Sequence, residues 1–350
     1  MRRFLGLATA LAGLLAASPA FPCGGGFGPN IQVNPQQDII VVWKDDVETY
    51  VFQPIFCGTA TNFGLILPVP AQLTQKPTLS DQQAFTTAIT LTEPRKVEQD
   101  TSSSGLGCGS SGSAQGGYDS TNGTTVVANG RVGFLDWLQL KADTESSFTD
   151  WLTANGYPYP TATSPRYSDY VQMRDVFTYY VNKGWYFLAF KISQDAVPDG
   201  GTVCKSLGPI SFAFPTSSPV VPSRMASTGS TAPSSQFTWR VFGITHGDVQ
   251  LDAGSGLAFS GAIPDSAAAS LAGLAQAGDR VTRLNLSFSP SSEVDISLWT
   301  APAVDYQAVE YVPASGSCAV TKSISSRKHS LLALLSLTLF GLVCWRRWRR

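Results

Sequence analysis

Residues 38–55 read DIIVVWKDDVETYVFQPI, and this stretch indicates the fold class. It contains two runs rich in β-branched and aromatic residues, Asp38–Lys44 and Val47–Ile55, which are typical of β-strands. Asp45 and Asp46 lie between the runs and leave room only for a tight connection. The stretch therefore predicts two strands joined by a short turn.

The same strand-rich composition recurs along most of the chain. Seven further strands are predicted: Phe63–Val69, Trp185–Ser193, Pro209–Phe214, Phe237–Ile244, Val281–Phe288, Val294–Trp299 and Gln307–Val312. Asn129-Gly130, between apolar runs, predicts a hairpin turn. Helices are fewer: Ser80–Thr90, Glu145–Asn155, Ser168–Lys183 and Asp265–Ala277. The pattern predicts an α+β fold, mainly an antiparallel β-sheet with a few packed helices.

Both ends of the chain carry targeting patterns. Residues 1–20 run from Arg2 and Arg3 through an apolar stretch to Ser18-Pro19-Ala20, which predicts a signal peptide. Ser330–Trp345 is apolar and would span about 24 Å as a helix, slightly less than a bilayer core. The arginines of the tail 346–350 predict a C-terminus in the cytoplasm. We expect an exported protein anchored in a bacterial membrane, with its main domain outside the cytoplasm.

These signals divide the chain into segments. The prediction is a signal peptide (1–20), an exported α+β domain (21–314), a juxtamembrane linker (315–329), a transmembrane or sorting helix (330–345) and a basic cytoplasmic tail (346–350). The sorting alternative stays open because Ser315-Gly316-Ser317-Cys318 lies where a processing motif would stand. Composition also predicts flexible loops near residues 101–125 and 217–236.

The charge of the exported region argues against nucleic acid as a partner. Residues 21–326 hold 16 basic and 25 acidic residues, a net charge of −9. Phosphate binding requires a basic face, which this composition does not supply. The acidic residues are scattered along the chain, so solvated surface carboxylates are favoured over an acidic site.

The cysteines fit an exported protein. Five of them, Cys23, Cys57, Cys108, Cys204 and Cys318, would face the oxidising side of the membrane. Cys57 and Cys204 are the favoured disulfide pair because both flank predicted strands. The alternative is that these two are small buried apolar residues.

The sequence assigns no catalytic, cofactor-binding or metal-binding residue. The exported region contains one histidine, His246, at a predicted strand end, and no Gly-x-Ser-x-Gly motif accompanies it. A zinc site is not indicated, because the sequence has no Cys-x-x-Cys motif and no pair of histidines at helical spacing. A turn histidine is favoured, and the alternative is an exported hydrolase with a carboxylate or His246-assisted site.

Aromatic residues crowd into residues 137–187, where they have two interpretations. They could line a groove for a carbohydrate or peptide, in which case Tyr157 and Tyr159 are the expected ligand-facing pair, because Pro158 and Pro160 fix the loop. The favoured interpretation is that the two predicted helices pack these rings on the sheet as core.

Several stretches, in order, resemble a known bacterial family. They are Pro22-Cys23-Gly24-Gly25-Gly26-Phe27, residues 62–70 (NFGLILPVP), residues 151–157 (WLTANGY), residues 179–191, residues 209–214 (PISFAF) and residues 218–222 (SPVVP). The resemblance covers residues 22–245 and is to the family of domain of unknown function 2330. It implies exported, often C-terminally anchored envelope proteins and a single fold, and it brings no activity.

Taken together, the sequence predicts a membrane-anchored envelope protein that acts by binding or structural display. An envelope protein or a glycan is the expected partner besides the membrane. A scaffold is a further possibility, assembled through the loop Thr101–Thr125 or through the thiol that an odd number of exported cysteines leaves unpaired.

Overall fold

Apolar residues at four consecutive positions, 39–42, require a strand that is buried on both faces. The computed structural model contains such a strand, Gln36–Lys44, in which residues 39–41 are fully buried. It describes residues 25–27, 32–33, 36–58, 64–98, 123–133, 135–157, 167–192, 203–206, 208–225, 236–288 and 295–312.

The described helices and strands are numbered along the chain. The helices are α1 (Gln82–Leu91), α2 (Glu145–Ala154), α3 (Tyr167–Asn182) and α4 (Asp265–Ala268). The strands are β1 (Gly25–Phe27), β2 (Gln32–Val33), β3 (Gln36–Lys44), β4 (Val47–Phe52), β5 (Ile55–Gly58), β6 (Gly64–Val69), β7 (Gln75–Leu79), β8 (Arg95–Glu98), β9 (Thr124–Val132), β10 (Leu135–Ala142), β11 (Tyr186–Ile192), β12 (Val203–Ser206), β13 (Ile210–Pro215), β14 (Val220–Val221), β15 (Phe237–Thr245), β16 (Val249–Asp252), β17 (Leu257–Ala262), β18 (Arg280–Phe288), β19 (Ile296–Ser297), β20 (Trp299–Pro302), β21 (Tyr306–Gln307) and β22 (Val309–Val312).

Two large sheets organise these strands. One has eight strands in the order β21-β17-β18-β15-β3-β4-β13-β7, and the other has five in the order β1-β6-β11-β10-β9. Neighbouring strands in both are antiparallel, with one exception: β3 and β15 run parallel, with Val41 opposite Gly243. A three-stranded antiparallel sheet, β12-β5-β2, is separate from both. The predicted α+β fold with a mainly antiparallel sheet is confirmed.

The main core lies between the two large sheets. Ile39 and Val41 of β3 belong to one buried cluster with Leu65 and Leu67 of β6 and Phe190 of β11. These positions are two residues apart on their strands, so they share a face. The odd-numbered residues of β3 therefore point toward the five-stranded sheet.

Helices cover the opposite face of each sheet. Ile66 and Phe187 pack with α2 and α3 on the five-stranded sheet. Ile40 and Val51 pack with α1 and with the segment 265–275 on the eight-stranded sheet. This region thus consists of four layers, helix–sheet–sheet–helix, with the helices packed on the outer face of each sheet.

Two sequence predictions are wrong in local detail. Asn129 and Gly130 lie inside β9, and the chain turns later, at Gly133, where φ is +55°. Gly130 is opposite Trp137, and a Cβ there would lie 3.0 Å from the indole ring, so this glycine allows close approach of a ring. The Ala-rich helix predicted to Ala277 ends at Leu271, because Ala272 is left-handed with φ +53°.

Other expectations fall partly or wholly beyond the described residues. Those include the signal peptide 1–20, most of the loop 101–125, the linker 315–329, the helix 330–345 and the tail 346–350. The predicted loop 217–236 contains β14 and a 3-10 turn at 223–225, and residues 226–235 are not described. None of the described helices is long and apolar enough to span a membrane.

The chain divides into two units. The large unit, residues 1–95 and 106–309, contains the layers described above. The small unit comprises residues 96–105 and 310–350, and its described part belongs to the two-stranded sheet of β8 and β22.

Candidate functional site

A cleft of about 730 Å³ opens on the helix-covered face of the eight-stranded sheet. Val42 and Lys44 of β3 share this face with Thr49 of β4 because side chains alternate along a strand. Beyond the segment 265–275 the face carries polar side chains. The polar residues that line the cleft are Lys44, Asp45, Thr49, Gln75, Thr78, Ser80, Asp81, Ser211, Thr245, His246, Gln276 and Asp279.

A histidine and an aspartate form a pair at the wall of this cleft. His246 Nδ1 lies 2.6 Å from Asp279 Oδ1, although the two residues are 33 positions apart. The side chain of His246 is 63% exposed and that of Asp279 is 10% exposed. The second carboxylate oxygen, Oδ2, accepts a hydrogen bond from the backbone N–H of Gln276 at 2.8 Å. The acid is therefore held on both oxygens, and it fixes one edge of the imidazole ring.

The register of two neighbouring strands brings the pair together. The last residue pair between β15 and β18 is Thr245 opposite Arg280. His246 follows β15 and Asp279 precedes β18, so each occupies the next position beyond the ladder. Gly247 then turns the chain with φ +77°. His246 lies in a turn, as the sequence predicts, whereas no local pattern points to Asp279 as its partner.

The geometry sets what the histidine can do. In a neutral ring bonded to an ionised carboxylate, Nδ1 carries the proton and Nε2 keeps its lone pair. Nε2 is then an acceptor for a ligand or a proton. Within the part of the chain that the structure describes, no serine, threonine or cysteine is hydrogen bonded to His246. The pair alone provides an oriented base, and a Ser-His-Asp arrangement is not formed by these residues.

The mouth of the cleft is a two-residue turn. Asp45 and Asp46 join β3 to β4 with φ of 52° and 56°. Two positive φ angles are the mark of a type I′ hairpin turn, whose twist matches the flanking strands. This confirms the tight connection predicted from residues 38–55. It also fixes Lys44, the last residue of β3, at the edge of the cleft.

A second cleft, of about 540 Å³, lies at the other end of the same sheet. Its central feature is a two-pronged ion pair between Arg240 and Asp38, with N–O distances of 2.5 and 2.6 Å. These residues are direct partners on the parallel strands β15 and β3. The two charges satisfy each other, and the other cation of the lining, Arg283, donates to Asn285 Oδ1 and to the carbonyl of Thr92, so the charges of the second cleft are engaged within the protein.

A buried ionisable cluster joins α3 to the chain near residue 295. The hydroxyl of Tyr180 donates to Asp295 Oδ1, which also accepts from the backbone N–H of Arg224 at 3.2 Å. Lys183 Nζ lies 3.6 Å from the other carboxylate oxygen. Burial raises the pKa of both Asp295 and Tyr180. The cluster's partners come from within the protein, which indicates a structural role.

The predicted aromatic surface is wrong for Tyr157. This residue is 2% exposed and belongs to the core cluster of α2 and α3. Its ring packs near Trp151, at a centroid distance of 5.6 Å, and over Gly64. Tyr159 lies outside the described residues. For the buried rings of this region, the core interpretation is confirmed.

The structure brings Cys57 and Cys204 to neighbouring strands. Cys57 lies in β5 and Cys204 in β12, and the two residues are direct partners in the antiparallel ladder. The sequence supplied both positions but not their register.

Comparison with known proteins gives three results. No curated protein matches the chain. The crystal structure of the baculovirus p35 protein aligns with 82% of this chain and 99% of its own, at 11% identity and a TM-score of 0.34. A family model described as an uncharacterized protein conserved in bacteria matches residues 17–298. Since that match covers most of the chain and agrees with the resemblance found in its motifs, the protein belongs to the bacterial family DUF2330.

Proposed function

We propose that this protein is a binding module of the bacterial cell envelope that holds a small polar ligand in the cleft beside His246. The observation that carries the proposal is the His246–Asp279 pair. A largely buried acid orients an exposed ring, and Nε2 has no partner among the described residues. Such an oriented acceptor in a concave site is a feature of ligand recognition.

The lining of the cleft suggests the chemistry of the ligand. A volume of about 730 Å³ is within the usual range for small-molecule sites. Hydroxyl and amide groups dominate the polar lining, and the charged side chains are one lysine, Lys44, and three aspartates, Asp45, Asp81 and Asp279. This mixture favours a neutral or zwitterionic ligand rich in hydroxyl or amide groups, such as a glycan or a peptide segment. A polyanion would meet little positive charge there.

The cellular location is part of the same proposal. The basic and apolar residues 1–20 support export, and Ser330–Trp345 followed by the arginine-rich tail supports a membrane anchor. The large domain would then lie outside the cytoplasm and the C-terminus inside. Protease added to intact spheroplasts should digest the large domain and leave a short C-terminal fragment. Protection of the large domain would contradict the export.

The ligand proposal is tested on the side chain of His246. The imidazole resonances of the purified protein are recorded by NMR while N-acetylglucosamine oligomers, neutral monosaccharides and dipeptides are added in turn. We expect one of these classes to shift the His246 resonance and to bind His246→Gln at least tenfold more weakly. A panel that leaves the resonance unchanged would contradict the proposal.

A hydrolase is the second candidate, and the same pair favours it. His246 Nε2 would take a proton from a water molecule as the water oxygen attacks an ester or amide carbonyl, and the proton would then pass to the leaving group. Asp279 would keep the ring in the required tautomer. Hydrolysis of p-nitrophenyl acetate by the wild type, His246→Gln and Asp279→Asn separates the candidates. If both variants hydrolyse the ester much more slowly than the wild type, the hydrolase is supported. If all three proteins hydrolyse it at the same rate, binding alone is supported.

A further inference from the structure

The small three-stranded sheet places one cysteine opposite another. In the β5–β12 ladder, Val203 pairs with Gly58, Cys204 with Cys57 and Ser206 with Ile55. The register has no shift over its four pairs. On its other side β5 pairs with β2, where Gln32 stands opposite Cys57.

We propose that Cys57 and Cys204 form a disulfide bond across this sheet in the exported protein. Directly opposed residues of antiparallel strands have Cα atoms about 4.5 or 5.5 Å apart, depending on the type of pair. A disulfide accepts Cα separations of about 4.4–6.8 Å. Both spacings lie within this range, and directly opposed residues share a face of the sheet. The register therefore places the two Cα atoms within the range that a disulfide bond spans.

The reaction needs an oxidant, which the export compartment supplies. A disulfide-bonded thiol oxidase forms a mixed disulfide with one cysteine thiolate, and the second thiolate then displaces it. The Cys57–Cys204 bond forms, and the oxidase leaves with its two cysteines reduced to thiols. Two electrons and two protons pass from the substrate thiols to the oxidase.

The bond would enclose a large part of the fold in a covalent loop. It joins the two ends of the segment 58–203, which contains α1, α2 and α3 and four of the five strands of the five-stranded sheet. Residues of β5 and β12 lie in a sheet whose strands are only two to four residues long. Sheets this small are weakly stable by themselves. A covalent link at this point would hold the closing strands together.

The experiment uses the full-length chain exported into the periplasm of a bacterial host by a host signal peptide. Free thiols are blocked with N-ethylmaleimide, and the protein is digested without reduction and mapped by mass spectrometry. We expect one cross-linked peptide that joins Cys57 to Cys204 and separates on reduction. Alkylation of both cysteines, or a bond from either one to Cys23, Cys108 or Cys318, would overturn the proposal.

Matched variants give a second measurement. Dithiothreitol should lower the Tm of the wild type and of the control Cys108→Ser by roughly 5–10 °C, because an unfolded chain without the bond is less constrained. The double variant C57S/C204S should show no response. An equal response of all three proteins would also overturn the proposal. Because the host directs the export, neither result depends on the native location or on the ligand of the cleft.

Discussion

The two helical layers of this protein cover their sheets in different ways. The layer of α2 and α3 is filled with large rings, among them Phe148, Trp151 and Phe177, all of which are fully buried. The layer of α1 and residues 265–275 is built mostly from small residues: Ala84, Ala88, Ala267, Ala268 and Ala275. The first layer seals its sheet, whereas the second covers only the middle of its sheet and leaves a cleft at either end. The candidate site lies where the cover is thin.

The largest expected effect is the loss of a ring from the sealed layer. Phe148 stacks on Phe187 at 4.1 Å and meets Phe177 edge-on at 4.9 Å, between ring centroids. Phe148→Ala should lower the free energy of unfolding by about 3–5 kcal/mol, because it leaves a cavity among rigid rings. Urea unfolding measures the loss, and the NMR resonance of His246 should stay unchanged. A shifted His246 resonance would show that this layer also supports the cleft.

The matched change in the thin layer is Leu271→Ala. Leu271 is fully buried, but it ends a 3-10 turn beside the cleft, where the chain can relax. We expect a smaller loss, about 2–3 kcal/mol in urea unfolding, together with a shift of the His246 resonance. If Leu271→Ala loses as much unfolding free energy as Phe148→Ala and leaves the His246 resonance unchanged, the two layers do not differ in the way described.

Gly64→Ala examines how tightly the sealed layer is packed. An added Cβ would lie 2.4 Å from Cδ1 of Tyr157, whose ring is buried, so the ring or the strand must move. We expect a cost of about 1–3 kcal/mol in thermal or urea unfolding. The double variant G64A/Y157V should be more stable than the sum of the single effects predicts. If the effects of the two substitutions are additive, the strain in Gly64→Ala does not come from the contact with the Tyr157 ring.

Glu48 is an acidic residue in the core between the two sheets, and its substitution tests that core. It is fully buried, and burial raises its pKa well above the ordinary 4.5 despite a hydrogen bond from the Val220 N–H. The folded state therefore retains the proton at pH values where the unfolded state releases it, so stability falls as pH rises above that value. Glu48→Gln should gain stability relative to the wild type, and more at pH 8 than at pH 5. Parallel urea-unfolding profiles of the two proteins would contradict this.

The smallest expected effect on stability is at the cleft itself. His246→Gln should change the free energy of unfolding by less than about 0.5 kcal/mol, because the side chain is mostly exposed. Asp279→Ala should cost about 1–2 kcal/mol, because the Gln276 N–H loses its acceptor. Calorimetry of both variants checks the ranking. A large loss in His246→Gln would mean that the pair serves the fold.

The sequence predicted strands best where apolar runs are continuous. The run at 237–244 became β15 with one residue added, because Phe237, Trp239 and the four buried residues 241–244 give it a nearly unbroken apolar signal. β16 and β17 were missed, since Asp252, Gly254 and Gly256 interrupt the pattern. The pair of His246 with Asp279 depends on the register of two strands, and no sequence window contains both residues. Register is a tertiary property, so the site could only be found in the structure.

The parallel pairing of β3 with β15 has a consequence for how the chain folds. These two strands stand side by side in the middle of the eight-stranded sheet, yet about two hundred residues separate them in the sequence. Pairing over such a distance is slow, since a long loop must be closed before any contact forms. The pairing of β3 with β15 cannot be completed until residue 245 has emerged from the ribosome, and the last strand of the sheet, β21, follows only at Tyr306–Gln307. A partly synthesised chain therefore presents β3 as an edge strand, and the strand order delays the closing of the central sheet until most of the chain has been made.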